Sequence, residues 1–217
     1  MNNFLFRAAL FLGLFIVSLC QAQKKDALNL KKLLGENKLV IYPNQNVAAL
    51  TDGNREGITC QGIVWLKGLT FSTGSIDVDI RGKNVVQQSF VGIAFHGVDT
   101  ITYDAIYFRP FNFQSADTLR RKHTVQYISE PDYPWDRLRK EHPLVYENAV
   151  IPQPIPTDWF HAHIVVTAND ITVYVNNSTV PSLKVKKLNG RENGLIGLWS
   201  SALSGDFANL EISAPAP

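Results

Sequence analysis

The sequence lacks an excess of charge of either sign. Lysine and arginine number 21 against 19 for aspartate and glutamate, which gives a net charge of +2 over 217 residues. Proteins that bind a nucleic-acid backbone ordinarily carry a marked basic patch, so no nucleic-acid partner is expected. Charged residues make up only 18% of the chain and aromatic residues 11%, which predicts a packed domain rather than a disordered chain or a coiled coil.

Cysteine is almost absent, with only Cys20 and Cys60. Cys20 lies in a leader at residues 1–22, in which a basic residue precedes an apolar run and Ala22 ends a cleavage site. We expect a signal peptide and a secreted or periplasmic protein without membrane insertion; an outer lipoprotein attached through Cys20 is the alternative. Cys60 would then be the single cysteine, so no intramolecular disulfide is expected and a buried, inert thiol is favoured over a reactive one.

The body of the chain lacks helical periodicity. Residues 23–37 form an N-terminal extension in which one or two helical turns are expected, ending near Gly35. From residue 38 to 213, short alternating runs separated by turn residues indicate one all-β domain, an antiparallel sandwich, barrel or jelly roll, followed by a tail at 214–217. The predicted strands are 38–42, 47–50, 62–66, 74–80, 89–96, 105–109, 124–128, 159–166, 172–175, 194–199 and 207–212.

Alternation within these strands predicts which side chains face the core. In the strand 105–109, Ile106 and Phe108 alternate with Tyr107 and Arg109. The strand 89–96 alternates in the same way, with a core set of Val91, Ile93 and Phe95 and an opposite set of Gly92, Ala94 and His96. One sheet face is therefore polar and aromatic, which is typical of a sheet that faces a ligand.

Proline accumulates between residues 129 and 158, where six of the 11 prolines fall. The segment also holds Trp135 and a charged run at 136–141. An insertion of this length inside a compact domain is usually functional. We predict a lid or rim over the ligand-facing sheet; a loop that only covers a sheet edge is the alternative.

Side chains suited to sugar recognition are concentrated in this half of the chain. Aromatic rings stack on sugar rings, and arginine, glutamine and histidine hydrogen-bond to hydroxyl groups. The candidate ligand-binding residues are Tyr107, Arg109, His123, Gln126, Tyr127 and Trp135. For any one of them the alternative is an ordinary core aromatic or an arginine paired with a carboxylate. The candidate catalytic residues are Glu147 and His96, because catalysis would need a positioned acid or base.

Complete catalytic and nucleotide-binding motifs are missing. There is no G-x-S-x-G elbow, no G-x-G-x-x-G and no G-x-x-x-x-G-K-[ST], so no nucleotide cofactor is expected. His161 and His163 lie two residues apart on one strand face, which is typical of a metal pair. No further ligands follow at a suitable spacing, so we favour two hydrogen-bonded strand histidines and predict no metal site there.

Several stretches resemble the concanavalin A-like lectin/glucanase superfamily over residues 38–213. They are FSTGSIDVDIRG, FVGIAFH, WFH-x-H-IVV, ITVYVN, G-x-IGLW and DFANLEI, and they are most similar to exported bacterial LamG-like domains and to the 3-keto-disaccharide hydrolase, or glycoside hydrolase-like, family. The resemblance implies a two-sheet antiparallel jelly-roll sandwich whose concave sheet binds carbohydrate, and it leaves a structural calcium ion open. The E-x-D-x-x-E motif of laminarinase-like hydrolases is missing; Asp77 and Asp79 share one strand face, which we expect to be exposed or at an edge.

Three functions are compatible with these features. The first is an exported carbohydrate-recognition domain that binds a glycan on the concave sheet. The second is a glycoside hydrolase or lyase that acts on a 3-keto-disaccharide or another oligosaccharide. The third is a structural or protein-binding jelly roll. We favour the first, because the candidate residues suit sugar binding and no complete catalytic motif accompanies them.

Overall fold

Antiparallel strands form most of the computed structural model, which describes residues 25–214. The strands are β1 (Lys25–Leu28), β2 (Leu39–Val40), β3 (Val47–Asp52), β4 (Arg55–Phe71), β5 (Gly74–Arg81), β6 (Ser89–Gly97), β7 (Tyr103–Phe108), β8 (Val125–Glu130), β9 (Glu147–Asn148), β10 (Phe160–Val166), β11 (Asp170–Val175), β12 (Leu183–Lys186) and β13 (Gly194–Ser213). The helices are α1 (Leu30–Gly35), α2 (Thr118–Arg121), α3 (Trp135–Glu141) and a 3₁₀ turn at Pro110–Asn112. Within the described range, no helix has the length and apolar character needed to cross a membrane. The predicted signal peptide at 1–22 and residues 215–217 of the predicted tail lie outside the described residues.

The strands form two stacked layers that share the long strand β13. Hydrogen-bonded neighbours follow the order β12-β11-β10-β5-β13-β6-β7-β8-β9. Residues 206–213 of β13 pair with β5, whereas residues 195–202 pair with β6, so the strand passes from one layer into the other. β4 runs along β13 and carries β2 and β3 on its other side. The predicted all-β, two-sheet antiparallel jelly-roll sandwich is confirmed.

The hydrophobic core lies between the two layers. The rings of Phe108 in β7 and Phe160 in β10 are both buried, with centroids 4.9 Å apart. Burying a side chain of this size contributes about 1.5 to 3 kcal/mol to the free energy of unfolding. The predicted core set of β6 is confirmed, because Val91, Ile93 and Phe95 are all buried in this cluster. Cys60 lies there too, and burial raises the pKa of its thiol to about 12, as expected of an inert cysteine.

Two strands continue beyond the residues at which the sequence predicted them to end. The sequence predicted separate strands at 194–199 and 207–212, but β13 is continuous, and a register shift against β4 between Ser200 and Gly205 absorbs the extra residues. β4 likewise runs well beyond the predicted 62–66. Gly62 has φ +83° inside it, a left-handed conformation that glycine adopts without strain. Bulges of this kind increase the local bend of a strand without ending it.

Residues 25–35 pack as part of the sandwich. β1 pairs with the end of β13, and Leu30 is fully buried in the main core. The Asn29 side chain accepts a hydrogen bond from the Lys32 N–H and so begins α1, which confirms the expected short helix ending at Gly35. The strands β1, β9 and β12 were not predicted; each has four residues or fewer.

A charged cluster lies on the outward face of β5 and β10. His161 lies between two carboxylates, with Nε2 3.2 Å from Asp77 Oδ1 and Nδ1 2.9 Å from Asp79 Oδ1. His163 Nδ1 is 2.7 Å from Asp77 Oδ1. In residues 25–214, no group of three or more His, Cys, Asp or Glu side chains is placed to hold a metal ion. The expected exposed or edge position of Asp77 and Asp79 is wrong, because β5 lies between β10 and β13 and each residue is only 8% exposed.

The stability of the protein should depend on the protonation of His161. Hydrogen bonds with Asp77 and Asp79 raise the pKa of His161 from 6.5 to about 9. The protonated ring therefore stabilises the folded state fully below pH 6.5, and this contribution is lost as the pH rises through 9. Because the side chain is 29% exposed, we expect a loss of only about 1 to 2 kcal/mol in the free energy of unfolding over this interval.

Urea denaturation of the wild type and of His161→Gln between pH 6 and pH 9.5 measures this contribution. The variant should be less stable at pH 6 and should lack most of the decline. His142→Gln removes an exposed histidine elsewhere and should keep it. An equal decline in His161→Gln would show that another group is responsible.

Candidate functional site

A lateral row of five residues crosses the layer that contains β6 to β9. Trp199 of β13 is paired with Gly92 of β6, which is paired with Tyr107 of β7. The row continues through Gln126 of β8 to Glu147 of β9. Paired residues of antiparallel strands lie on the same sheet face, and here that face points away from the core. We call the surface that this row crosses the pocket face.

Gly92 allows the two aromatic rings of the row to meet. A Cβ atom at this position would collide with the carbonyl oxygen of Ile106 in the neighbouring strand. With no side chain between them, the rings of Trp199 and Tyr107 have centroids 5.0 Å apart. Their contact forms an aromatic floor in the middle of the layer.

A cavity of about 590 Å³ opens on the pocket face. Its lining residues are Val86, Gln87, Phe90, Tyr107, Arg109, Phe111, Asn112, Arg120, His123, Ile128, Glu130, Trp135, Arg139, Trp199 and Ser201. A second cavity of about 380 Å³ shares Trp199 and Ser201 with the first. Both volumes fall in the range of small-molecule sites.

Tyr107, Arg109 and Gln126 form a hydrogen-bonded network at the base of the cavity. Arg109 donates to the Tyr107 hydroxyl, to Gln126 Oε1 and to the carbonyl oxygen of His123. The Tyr107 hydroxyl donates to Gln126 Oε1 at 2.9 Å. Burial raises the pKa of Tyr107 to about 12 and lowers the pKa of Arg109. The network therefore presents fixed donors to the cavity and a tyrosine that stays protonated.

Glu147 is a buried carboxylate at the end of the row, only 2% exposed. It accepts two hydrogen bonds from Arg139, at 3.1 Å from Nε and 2.8 Å from a terminal nitrogen. Nδ1 of His123 is 2.8 Å from Glu147 Oε2, although the angle is poor for a hydrogen bond. Burial alone would raise the pKa of Glu147, but the charge and hydrogen bonds of Arg139 outweigh it and lower that pKa.

Helix α3, within the segment 129–158, forms one wall of the cavity. Leu138 is buried against the pocket face and anchors the helix. Trp135 at its start is 48% exposed, and the Arg139 guanidinium lies 5.1 Å from the centre of its ring. The segment thus presents an exposed aromatic ring and a cation beside the row.

Comparisons with known proteins agree with this architecture. Neither a family model nor a curated protein matches the chain. Among solved structures, it is similar to a protein of unknown function with a galectin-like fold from Bacillus subtilis (12% identity over 88% of this chain and 98% of that chain, TM-score 0.55). It is also similar to the carbohydrate binding module CBM66 from Bacillus subtilis (12% identity over 77% of this chain and 92% of that chain, TM-score 0.51). A third similar structure is a glycoside hydrolase family 16 endo-glucanase from Bacteroides ovatus (11% identity over 77% of this chain and 85% of that chain, TM-score 0.52). The chain has the concanavalin A-like jelly-roll fold.

The jelly roll brings most of the predicted site residues together. Tyr107, Arg109, His123 and Trp135 line the larger cavity. Gln126 is hydrogen-bonded to two of them. Glu147, predicted as a candidate catalytic residue, is absent from the lining and contacts the site through Arg139 and His123.

Two predicted site residues lie on the other side of the layer. His96 has φ +50° at a register shift in β6, which turns its ring toward the core side. There its Nδ1 is 3.1 Å from Asp104 Oδ2 and its Nε2 is 2.6 Å from the Ser72 carbonyl oxygen. Tyr127 is fully buried in the main core, and its hydroxyl donates to Asp104. The predicted placement of both residues at the ligand face is therefore wrong.

Several cavity residues were missed by the sequence prediction. Trp199 and Phe90 could have been found by alternation, because each is adjacent to a buried core residue of its own strand. Glu130 and Arg139 had no such signal, since Glu130 ends β8 and Arg139 lies on a helix within a segment that has no strand period. Their approach to the cavity depends on long-range packing.

The buried ion pair predicts a structural effect of Glu147→Gln. The change leaves Arg139 and the nearby Arg109 without their carboxylate, and breaking a buried pair in this way costs about 3 kcal/mol. We expect a loss of that size in the free energy of unfolding by urea denaturation. The control is Glu141→Gln, which breaks the exposed pair with Arg137 and should change stability by less than about 0.5 kcal/mol. Equal stabilities of the two variants would contradict the structural role of Glu147.

Proposed function

We propose that this protein is an exported carbohydrate-recognition domain that binds a glycan in the cavity of the pocket face. The observation that carries the proposal is the combination of accessible aromatic rings and fixed hydrogen-bond donors around one cavity of about 590 Å³. Trp199 and Trp135 offer ring faces to the apolar side of a sugar, and Arg109 and His123 offer polar groups to its hydroxyls. Export rests on the predicted signal peptide at residues 1–22.

The related jelly rolls support this proposal without defining the ligand. One similar structure is named a carbohydrate binding module, and another is an endo-glucanase in complex with a ligand. The larger cavity and its neighbour meet at Trp199. An oligosaccharide that crossed this tryptophan would fill both cavities, whereas a monosaccharide would occupy one.

Replacing Trp199 by alanine should weaken glycan binding. A ring that stacks on a sugar contributes about 1.4 kcal/mol, which corresponds to a tenfold change in Kd. A glycan array would first identify a bound sugar, and calorimetry would then compare the variant with the wild type. Trp159→Ala is the matched control, because Trp159 is also partly exposed but lies against Arg81 outside both cavities.

Equal weakening by the two tryptophan variants would place the binding surface elsewhere. A wild-type protein that binds no glycan on the array would contradict the proposed function. That result would favour the third alternative, a structural or protein-binding jelly roll.

A second candidate function is a glycoside hydrolase or lyase that acts on a 3-keto-disaccharide or another oligosaccharide. The observation that favours it is Glu130, which lines the cavity and has no hydrogen bond or ion pair from its side chain within the described residues. Burial and the charge of Asp136 raise the pKa of Glu130. A carboxyl group with a raised pKa is suited to general acid catalysis. Glu147 is held ionised by Arg139 and is less suited to that role.

Glu130→Gln separates an enzyme from a binding module. In an enzyme that uses Glu130 as its acid, turnover of an oligosaccharide or 3-keto-disaccharide should fall by about 100-fold or more, with little change in Kd. Glu141→Gln, on the exposed side of α3, should leave turnover unchanged. Product formation by the wild type that Glu130→Gln does not reduce would remove Glu130 from catalysis, and no product at all would remove the enzyme hypothesis.

A further inference from the structure

Basic side chains are over-represented on the cavity wall. Three arginines and one histidine line the cavity, namely Arg109, Arg120, Arg139 and His123. Among the described residues that line the cavity, Glu130 is the only acidic one, and burial together with the charge of Asp136 raises its pKa. The charge of the whole chain is nearly balanced, which makes this local excess a feature of the cavity.

Arg109 has no carboxylate of its own. The side chain is buried, with 5% exposure, and all three of its hydrogen-bond partners are neutral oxygens. The nearest carboxylate oxygen belongs to Glu147, at 3.7 Å, and that group already accepts two hydrogen bonds from Arg139. Two guanidinium groups therefore share one carboxylate. A buried charge that shares its only counter-ion with a second cation is incompletely neutralised, and such a group is costly to bury.

Gln126 holds a buried donor without a partner beside Arg109. Its Oε1 accepts from Arg109 and from the Tyr107 hydroxyl. Because arginine can only donate, the amide oxygen must face Arg109, which leaves Nε2 on the other side of the amide group. That nitrogen is buried and has no hydrogen-bond partner within the described residues. The network thus contains more donors than acceptors.

We propose that the cavity binds the acidic group of a sugar, either the carboxylate of a uronic acid or a sulfate ester. This inference rests on the proposed carbohydrate-binding function. An anionic oxygen in the cavity would supply the negative charge that Arg109 now shares with Arg139. A neutral sugar would accept hydrogen bonds but leave the excess positive charge uncompensated.

The arginine is held in place before any ligand arrives. Its guanidinium lies 4.8 Å from the centre of the Tyr107 ring and 5.9 Å from that of Phe90. These contacts, together with the hydrogen bonds to Gln126 and to the His123 carbonyl, restrict the rotamers of Arg109. A fixed guanidinium loses little conformational entropy on binding, so it favours an anion at one defined position.

Matched pairs of oligosaccharides test the inference by calorimetry. The probes are oligogalacturonate and its methyl ester, C6-oxidised and unmodified cello-oligosaccharide, and sulfated and desulfated carrageenan oligosaccharide. We expect the acidic member of at least one pair to bind ten times more tightly or better at 50 mM salt, with the preference reduced at 500 mM salt. A preference within the first two pairs identifies a carboxylate, and one within the third identifies a sulfate.

Three variants test whether the cavity arginines cause the preference. Arg109→Gln should reduce the acid-to-neutral affinity ratio by about tenfold. Arg120→Gln provides a second test in an exposed residue of the lining, where misfolding is not expected, and should reduce the ratio about threefold. Arg137→Gln, on the same helix as Arg139 but outside the lining, should leave it unchanged.

The possible results separate this inference from the proposed function. Binding of neutral members as tightly as acidic ones would overturn the acidic ligand and leave carbohydrate recognition intact. An equal loss in Arg120→Gln and Arg137→Gln would show nonspecific attraction and would also overturn it. Failure of every probe, together with an empty glycan array, would overturn both proposals.

Discussion

The ion pair between Glu147 and Arg139 is the contact on which the cavity depends. It connects helix α3, which is otherwise held by the buried side chain of Leu138, to the edge strand β9. Glu147 also lies close to His123 and Arg109, so one carboxylate orders basic groups from three parts of the chain. Because the carboxylate is buried, these interactions are only weakly screened by solvent. The wall and the base of the cavity are thus fixed by the same charge.

The fold could be predicted from the sequence because alternation is a local property. Ile106 and Phe108 on one side, and Tyr107 and Arg109 on the other, are placed as their positions in the strand require. The same rule failed at His96, where a bulge with φ +50° reverses the face of a single residue. A bulge depends on pairing with a strand about a hundred residues away, which no local pattern reveals.

In the candidate site, alternation predicted only the part that strands build, whereas His123 and Trp135 were predicted from residue type alone. Alternation found Tyr107 and Arg109. Tyr127 was proposed as a ligand-binding residue for its aromatic character, with an ordinary core aromatic as the alternative, and the structure places it in the core. For Tyr127, position in the strand predicts the burial of the side chain better than residue type does. Arg139 could not be found in this way, because its approach to Glu147 follows from how α3 packs on the sheet.

Buried charged groups are paired differently on the two sides of the layer that contains β6 to β9. On the core side, Asp104 is satisfied by four donors: His96, Tyr127, Asn189 and Arg191. On the pocket face, Arg109 and Arg139 share the single carboxylate of Glu147. Unbalanced charge is therefore not a general feature of this layer. It occurs where a cavity gives access to an outside molecule, which is where a missing counter-ion could be supplied by a ligand.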